Sequence, residues 1–280
     1  MIEQKLSIKE LKKLATEIRK KILLMTHKAN SGHPGGSMSL VEILLALYFY
    51  KLRYDPRDPK WEFRDRVIIS KGHATPAVYA VLAKAGFFPE EELEGFRQFG
   101  SKLQGHVYFE VPGIEFNTGS LGQGLSAGIG MALASRYKGI DFNVYVILGD
   151  GEIQEGSIWE SAMFASHHKI DNLCAILDYN KVQENGFVNE ILKVEPLKDR
   201  WEAFGWNCIE VDGHDFNQLF EALDAFTSNK GNGKPTIVVA HTVKGKGVSF
   251  MEYNPAFHGR APNKEELERA LDELGGGSNV

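Results

Sequence analysis

The sequence has only two cysteines, no concentrated block of basic residues and no apolar run long enough to cross a membrane. Cys174 and Cys208 each lie within a short apolar run, which favours reduced, buried thiols in strands over a disulfide or a metal pair. The net charge of -5 is spread along the chain, which argues against nucleic acid or a membrane surface as the main partner. Because a bilayer span needs about 20 apolar residues and "MIEQKLSIKE" lacks the order of a signal peptide, we expect a cytoplasmic protein.

The chain has the composition of an ordinary globular protein. Its 280 residues, of which 43% are hydrophobic, suffice to bury a substantial core. No repeat and no low-complexity linker interrupts it before the glycine-rich end "GGGSNV". We therefore expect a single domain over residues 1–274 and a disordered tail over residues 275–280.

Helix start signals alternate with apolar strand-like runs. Helices are predicted at 8–28 (capping box Ser7 and Glu10), 39–50 (Ser39 and Glu42), 75–84 (Thr75 before Pro76) and, after a loop-like tract at 99–118, at 121–135. Strands are predicted at "RVIIS", "FNVYVIL", "NLCAIL", "WNCIEV" and "PTIVVAHTV". Strands that are apolar throughout and separated by helices indicate a mostly parallel sheet with helices on both faces, which is a doubly wound α/β fold.

The stretch "VILGDGEIQEGSIWE", from Val146 to Glu160, is the first candidate site. Ligands of such folds gather at the carboxyl ends of the strands, where this sequence places Gly149, Asp150 and Gly151. The two glycines allow close approach to a ligand, and the amides at the start of the following helix favour a phosphate. Because Asp150 would repel a bare phosphate, we expect a divalent cation such as Mg²⁺ between the two.

The next strand should end beside the first and bring "DYNKV" to the same edge. Asn180 would then offer an amide oxygen to the cation, and Val182 a backbone carbonyl. The residues alone leave an alternative open, in which Asp150 caps a helix and Asn180 turns a loop.

Several further motifs resemble those of a known family. "GDG" and "YNK", with Asp150 and Asn180 thirty positions apart, resemble the signature of thiamine-diphosphate proteins. Four other segments resemble the transketolase family in family order: "KANSGHPGG" at 28–36, "SKGHATPAVYA" at 70–80, "TGSLGQGLSAGIGMA" at 118–132 and "FHGRAP" at 257–262. The resemblance implies transfer of a two-carbon ketol unit between sugar phosphates, as in the pentose phosphate pathway.

The resemblance also implies a role for each site residue. The metal, Mg²⁺ or in its place Ca²⁺ or Mn²⁺, would be held by Asp150, Asn180 and the Val182 carbonyl. Thiamine diphosphate would contact His73, Gly151, Asn180, Glu155 and His258, with the backbone of Gly119, Ser120 and Leu121 against its aminopyrimidine ring. Glu155 and Glu160 match two carboxylates at the family's subunit interface, although solvated surface acids remain the alternative, above all for Glu160.

Four of the nine histidines lie in glycine-bearing loops, and the resemblance assigns them to catalysis. His33 and His258 would handle the proton of the hydroxyl next to the cleaved bond, for which imidazole suits near-neutral pH. His106 would hold the donor's terminal hydroxyl, and His73 would lie between substrate and diphosphate. The remaining five are interpreted as surface or satisfied core residues: His27, His167, His168, His214 and His241.

Two residues and the length depart from complete transketolases. Ser120 and Val107 stand where the family usually has proline, and Val107 leaves the donor sugar undetermined. Complete members continue into a pyrimidine-binding and a small C-terminal domain, so the resemblance implies the N-terminal subunit of a split transketolase. Its partner would be a separate C-terminal subunit, in a heterotetramer of two copies of each. The alternatives are a split enzyme for an unusual sugar phosphate or sulfosugar, a deoxyxylulose-phosphate synthase relative, and a non-catalytic cofactor-binding module.

Overall fold

A computed structural model describes residues 6–275 of the chain. The helices in this range are α1 (Ile8–Lys28), α2 (Pro34–Met38), α3 (Val41–Ala46), α4 (Thr75–Lys84), α5 (Gly124–Lys138), α6 (Gly156–His167), α7 (Val188–Ile191), α8 (Leu197–Ala203), α9 (Phe216–Ser228) and α10 (Lys264–Glu273). The strands are β1 (Arg66–Ile69), β2 (Val144–Gly149), β3 (Leu173–Tyr179), β4 (Val182–Gln183), β5 (Gly186–Phe187), β6 (Asn207–Asp212) and β7 (Thr236–His241). Apart from Gly275, the predicted tail lies outside the described residues.

Five strands form one sheet in the order β1-β2-β3-β7-β6, and every neighbouring pair is parallel. Alternate side chains of β2 enter two separate cores, with Val144 and Val146 on the face that carries α5 and Tyr145 and Ile147 on the other. Each large apolar side chain buried in this way contributes about 1.5–3 kcal/mol. The sheet is therefore covered on both faces, and the predicted doubly wound α/β fold is confirmed.

Helices with strong local signals lie where the sequence predicts them. The capping box of Ser7 and Glu10 is present, and α1 and α4 have the predicted bounds. All five predicted strands are found, and 99–118 contains neither helix nor strand. Within residues 6–275 no helix combines the length and apolarity that crossing a membrane requires.

The predicted capping signal at Ser39 and Glu42 is wrong. Ser39 ends α2 and donates its hydroxyl to Asp178 at 2.7 Å, while Glu42 is buried and accepts a 2.7 Å hydrogen bond from Arg19. Both side chains thus have partners elsewhere in the fold, and α3 begins at Val41 without a side-chain cap. The helical segment continues as a π-helix over Leu47–Lys51, one residue beyond the predicted end.

The predicted glycine-rich helix starts three residues late. Gly122 has φ 84°, in the left-handed region, which keeps residues 121–123 outside α5. The predicted close packing is against β2, since a Cβ at Gly128 would collide with Val146. Of the two cysteines, Cys174 is fully buried in β3, but Cys208 is only partly buried because β6 is an edge strand.

Candidate active site

The loops that follow the parallel strands converge at the carboxyl edge of the sheet. Gly149, the last residue of β2, lies in register with Asp178 of β3, so the two motifs that follow these strands are neighbours. They border a cleft of about 380 Å³. Of the sequence-predicted residues, its lining includes His33, His73, His106, Gly119, Leu121, Asp150, Gly151, Glu155, Asn180, Val182 and His258. Ser120 is exposed beside it and Glu160 lies on α6, and neither lines the cleft.

Asp150 joins the two strand-end loops. Its carboxylate accepts a 2.8 Å hydrogen bond from its own loop at Gly151 N–H and a 2.5 Å bond from the neighbouring loop at Lys181 N–H. The side chain is only 3% exposed, and its burial, together with the charge of Asp178, raises its pKa to about 6. A buried carboxylate held in this way is costly unless a cation balances it.

A lysine that was not predicted lies among the proposed metal-ligating oxygens. The Lys244 ammonium donates a 2.7 Å hydrogen bond to the Val182 carbonyl and contacts His258 Nδ1 at 2.7 Å. Lys244 is buried, and this burial lowers its pKa to about 8 despite the nearby charge of Asp150. Asn180 adds an amide oxygen that accepts the Val182 N–H at 3.2 Å. The cleft thus places the proposed metal-ligating oxygens close to the positive charge of Lys244.

A second buried lysine forms the floor of the cleft. Lys71 donates to Asp178 at 2.5 Å and to the Gly36 carbonyl at 3.0 Å, and Asp178 also accepts hydrogen bonds from Asn180 and Thr242. Burial alone would raise the pKa of Asp178, but the Lys71 charge and these hydrogen bonds hold it below its usual value. This floor fixes the orientation of the Asn180 amide.

The four predicted catalytic histidines form one cluster. The ring centroid of His33 lies 5.1 Å from that of His73, 5.5 Å from that of His258 and 6.2 Å from that of His106. His73 and His258 are 5.2 Å apart. The loops before α2, after β1 and after β7 therefore meet the loop of His106 above the two strand-end motifs.

The cluster is held in the neutral state. Burial, assisted by nearby cations, lowers the pKa of His33 to about 4 and that of His258 to about 3. Because Lys244 donates to His258 Nδ1, the single ring proton of His258 is on Nε2. His258 therefore presents a donor, whereas Nδ1 of His33 has no hydrogen-bond partner among the described residues.

These pKa values predict an acid-sensitive fold. The unfolded chain takes up protons on such histidines below about pH 6.5, whereas folded His33 resists protonation down to about 4, so stability falls as the pH drops through this window. We expect urea unfolding to show that, between about pH 7 and pH 5, the free energy of unfolding falls by about 1–2 kcal/mol less in His33→Gln than in the unmodified chain, after discounting for solvent screening. His167→Gln, at an exposed residue, is the control, and its free energy of unfolding should fall as much as that of the unmodified chain. An equal decrease in all three proteins would contradict the prediction.

A buried carboxylate connects the predicted aminopyrimidine loop to the strand-end motif. Glu152 accepts hydrogen bonds from Gly122 N–H at 2.9 Å, from Gly149 N–H at 3.0 Å and from the Ser70 hydroxyl. Residues 119–122 are therefore fixed relative to the Gly-Asp-Gly turn. Val107 is buried and donates its N–H to Gly72 at 3.1 Å, a hydrogen bond that proline cannot form.

Glu155 and Glu160, the two carboxylates expected at a subunit interface, differ in position. Glu155 is the N-cap of α6 and lines the cleft, whereas Glu160 lies within α6. Both side chains are exposed in this single chain. Of the five histidines interpreted as surface or satisfied core residues, His214 forms hydrogen bonds with the Glu42 carboxylate and with the Val243 N–H.

Sequence reasoning missed Lys71 and Lys244. Both are only 2% exposed and line the cleft, although lysine is rarely buried without a partner. The available signal was their position, because each closely follows a strand of the parallel sheet next to a glycine.

The fold and the cleft define an α/β protein with a polar ligand site at the carboxyl edge of its sheet. Residues 10–279 match the family described as "Transketolase, thiamine diphosphate binding domain". The chain belongs to the transketolase family, as the motifs predicted.

Similar proteins include separate subunits. A 6-deoxy-6-sulfo-D-fructose transketolase subunit from Clostridium sp. is 44% identical over 95% of this chain and 96% of its own length. An apulose-4-phosphate transketolase subunit from Actinobacillus succinogenes is 45% identical over 96% of this chain and 97% of its own length. The crystal structure of Campylobacter jejuni transketolase superposes with a TM-score of 0.90 and 34% identity, over 96% of this chain and 43% of that one. The predicted likeness to separate transketolase subunits is confirmed.

Proposed function

We propose that this chain binds thiamine diphosphate and a divalent metal at the carboxyl edge of its sheet and is the diphosphate-binding subunit of a transketolase. The observation that carries the proposal is the pairing of the buried Asp150 carboxylate with a four-histidine cluster in one cleft. The family match supports thiamine diphosphate as the cofactor.

The residues present fit a hard divalent cation. Asp150, the Asn180 amide and the Val182 carbonyl supply oxygen ligands of the kind that Mg²⁺, Ca²⁺ or Mn²⁺ accepts. The hydrogen bond from the Lys244 ammonium to the Val182 carbonyl supports a cation-binding role for this oxygen. Gly151, Asn180 and His73 would hold the diphosphate, with Glu155 and His258 beside the cofactor and the backbone of Gly119, Ser120 and Leu121 at its aminopyrimidine.

Thiamine diphosphate, when bound, supplies the electron sink for carbon–carbon cleavage. The chain supplies orientation and proton transfer. His258 is suited to donate its Nε2 hydrogen to a sugar oxygen, because Lys244 occupies Nδ1. We assign proton acceptance to His33, whose Nδ1 has no hydrogen-bond partner among the described residues. His73 would lie toward the diphosphate, and the exposed His106 would hold the donor's terminal hydroxyl.

We further propose that the partner is a separate pyrimidine-binding subunit, in an assembly of two copies of each chain. The support is that similar proteins are named as transketolase subunits and match along nearly their whole length. Their names favour transketolase activity over a deoxyxylulose-phosphate synthase relative or a non-catalytic module, and they make a sulfosugar or an unusual sugar phosphate the second candidate donor. A single domain over residues 1–274, a cytoplasmic location and a place in the pentose phosphate pathway stay predictions.

The test is reconstitution. The purified chain, with thiamine diphosphate, Mg²⁺, D-fructose 6-phosphate and D-ribose 5-phosphate, should give no ketol transfer alone and robust transfer with a pyrimidine-binding subunit from the same organism. Native mass measurement should then give two copies of each chain. Turnover by the chain alone would overturn the partner requirement. Failure of the assembly with D-fructose 6-phosphate, 6-deoxy-6-sulfo-D-fructose and apulose 4-phosphate would overturn the transketolase function.

A further inference from the structure

A histidine outside the cleft contacts the backbone next to Lys244. His214 follows β6, and only 13% of its side chain is exposed. Its Nε2 accepts a 3.0 Å hydrogen bond from the N–H of Val243, the residue that precedes Lys244. Its Nδ1 lies 2.9 Å from the Glu42 carboxylate of α3. None of the roles assigned above uses these two contacts.

The two contacts define the tautomer of His214. A backbone N–H can only donate, so Nε2 is the acceptor and the ring proton is on Nδ1, which donates it to Glu42. Burial alone would raise the pKa of Glu42, but the hydrogen bond from His214 and the charge of Arg19 lower it to about 2, so Glu42 is ionised. Arg19 donates to both carboxylate oxygens of Glu42, at 2.8 and 2.7 Å. The His214 ring is thus fixed in its orientation as well as in its tautomer.

The loop of His214 packs closely against the end of β7. A Cβ at Gly213 would lie 2.4 Å from the methyl group of Thr242, so only glycine permits this approach. The N–H of Thr242 is still held by a backbone group, the Tyr179 carbonyl, at 3.1 Å. Val243 comes next, and among residues 6–275 its N–H has no carbonyl partner. The His214 side chain therefore holds the first peptide group beyond the sheet.

The position of Lys244 depends on this peptide group. The buried Lys244 side chain reaches the Val182 carbonyl and His258 Nδ1, both at 2.7 Å. Its own carbonyl accepts the Tyr253 N–H at 2.9 Å. In a closely packed interior few rotamers of a long side chain meet two partners at once, so rotation of the preceding peptide group would move the ammonium away from His258.

We propose that His214 is a positioning residue, which acts through the Val243 peptide group to hold the Lys244 ammonium on Nδ1 of His258. The proposal rests on the function proposed above, in which His258 donates the hydrogen of its Nε2. Without the acceptor on His214, the Val243 N–H has no partner, the peptide group can rotate, and His258 is free to adopt either tautomer. The alternative is that His214 only stabilises the packing between α3 and the loop after β6, in which case its replacement would leave the tautomer of His258 unchanged.

The test replaces each half of the His214 ring separately. His214→Asn keeps a polar group near Nδ1 for Glu42 but none that reaches Val243, whereas His214→Gln places its amide oxygen near Nε2 and keeps the acceptor. His214→Leu also lacks the acceptor and carries the same expectations as His214→Asn, so the test does not depend on the folding of one variant. His241→Asn is the matched control, because His241 is a partly exposed histidine at the end of β7 whose side chain bonds to Glu210.

The first measurement uses the ligand-free chain with isotope-labelled histidine. Nuclear magnetic resonance should show the proton of His258 on Nε2 in the unmodified chain, in His214→Gln and in the control, and a mixture of both tautomers in His214→Asn. The spectrum of His258→Gln identifies the signal. Lys244→Met should give the same mixture, and adding His214→Asn to it should change nothing further, because the two residues act in series.

The second measurement is kcat of the reconstituted enzyme with D-fructose 6-phosphate and D-ribose 5-phosphate. We expect His214→Asn to lower kcat by about 10–100-fold, as is typical when a group that orients a functional residue is removed. KM for the sugars should change little, since no contact with a sugar is lost. His214→Gln should restore most of kcat.

Four results would overturn the assignment. A single Nε2–H tautomer of His258 in both variants without the acceptor, or in Lys244→Met, would reject the connection through Lys244. Equal losses in His214→Gln and His214→Asn would show that the bond to Val243 is not the cause. An altered tautomer with unchanged kcat would show that the contact has no part in the reaction. A mixture of tautomers in the unmodified chain would remove the basis of the proposal. Absence of turnover in the unmodified enzyme would instead reject the transketolase function, and the tautomers in the ligand-free chain would then still decide whether His214 positions Lys244.

Discussion

Asp150→Asn is expected to weaken thiamine diphosphate binding at limiting Mg²⁺ by about 100-fold or more, because the only carboxylate among the proposed ligands loses its charge. Cofactor at 100 times its dissociation constant should stabilise the unmodified chain by about 2.7 kcal/mol, and the variant by only about 0.4 kcal/mol. Thermal unfolding with and without cofactor and Mg²⁺ measures both values. Turnover of the reconstituted enzyme should fall in parallel.

The ligand-free variant separates binding from folding. Asp150 is a buried carboxylate next to Asp178, so replacing it with neutral asparagine should lower the free energy of unfolding by no more than about 1 kcal/mol. Asp199→Asn, an exposed change on α8, is the matched control and should leave cofactor stabilisation intact. Normal cofactor affinity in Asp150→Asn would show that Asp150 only joins the two loops.

His258→Ala is expected to lower kcat by about 10²–10⁴-fold while changing cofactor affinity little, since removing a proton-transfer or donor group affects the chemical step. Steady-state kinetics of the reconstituted enzyme, with cofactor titration on the same samples, separates the two quantities. His167→Ala, at the exposed end of α6, should match the unmodified enzyme. A large loss of cofactor affinity in His258→Ala, with kcat restored at saturating cofactor, would make His258 a cofactor-holding residue without a part in proton transfer.

Local signals predicted the fold well because they act over a few residues. The capping box of Ser7 and Glu10 closes within one turn, and the apolar runs end where the strands end, so the edge that carries Asp150 and Asn180 followed from the sequence. The same signal failed at Ser39 and Glu42, whose partners Asp178 and Arg19 are far away in the sequence.

The charged part of the site was the least predictable. Lysine is normally solvent-exposed, and a position just after a strand and next to a glycine does not by itself predict that Lys71 and Lys244 are buried. Their surroundings are assembled from loops that only the completed sheet brings together. The motif histidines were found by family resemblance, but the neutral state of His258 depends on its burial in the assembled cleft and on the nearby charge of Lys244.

The connections of Asp178 determine when the cleft can form during folding. This residue of β3 bonds to Ser39, Lys71 and Thr242, which are 139, 107 and 64 positions away along the chain. Contacts between residues so far apart in the sequence form late in folding, because the chain must first lose the entropy of closing a long loop before such a contact can stabilise the fold. A chain emerging from the ribosome therefore lacks the completed floor until β7 and Thr242 have been synthesised, so the proposed cofactor site is complete only in a chain whose sheet is fully assembled.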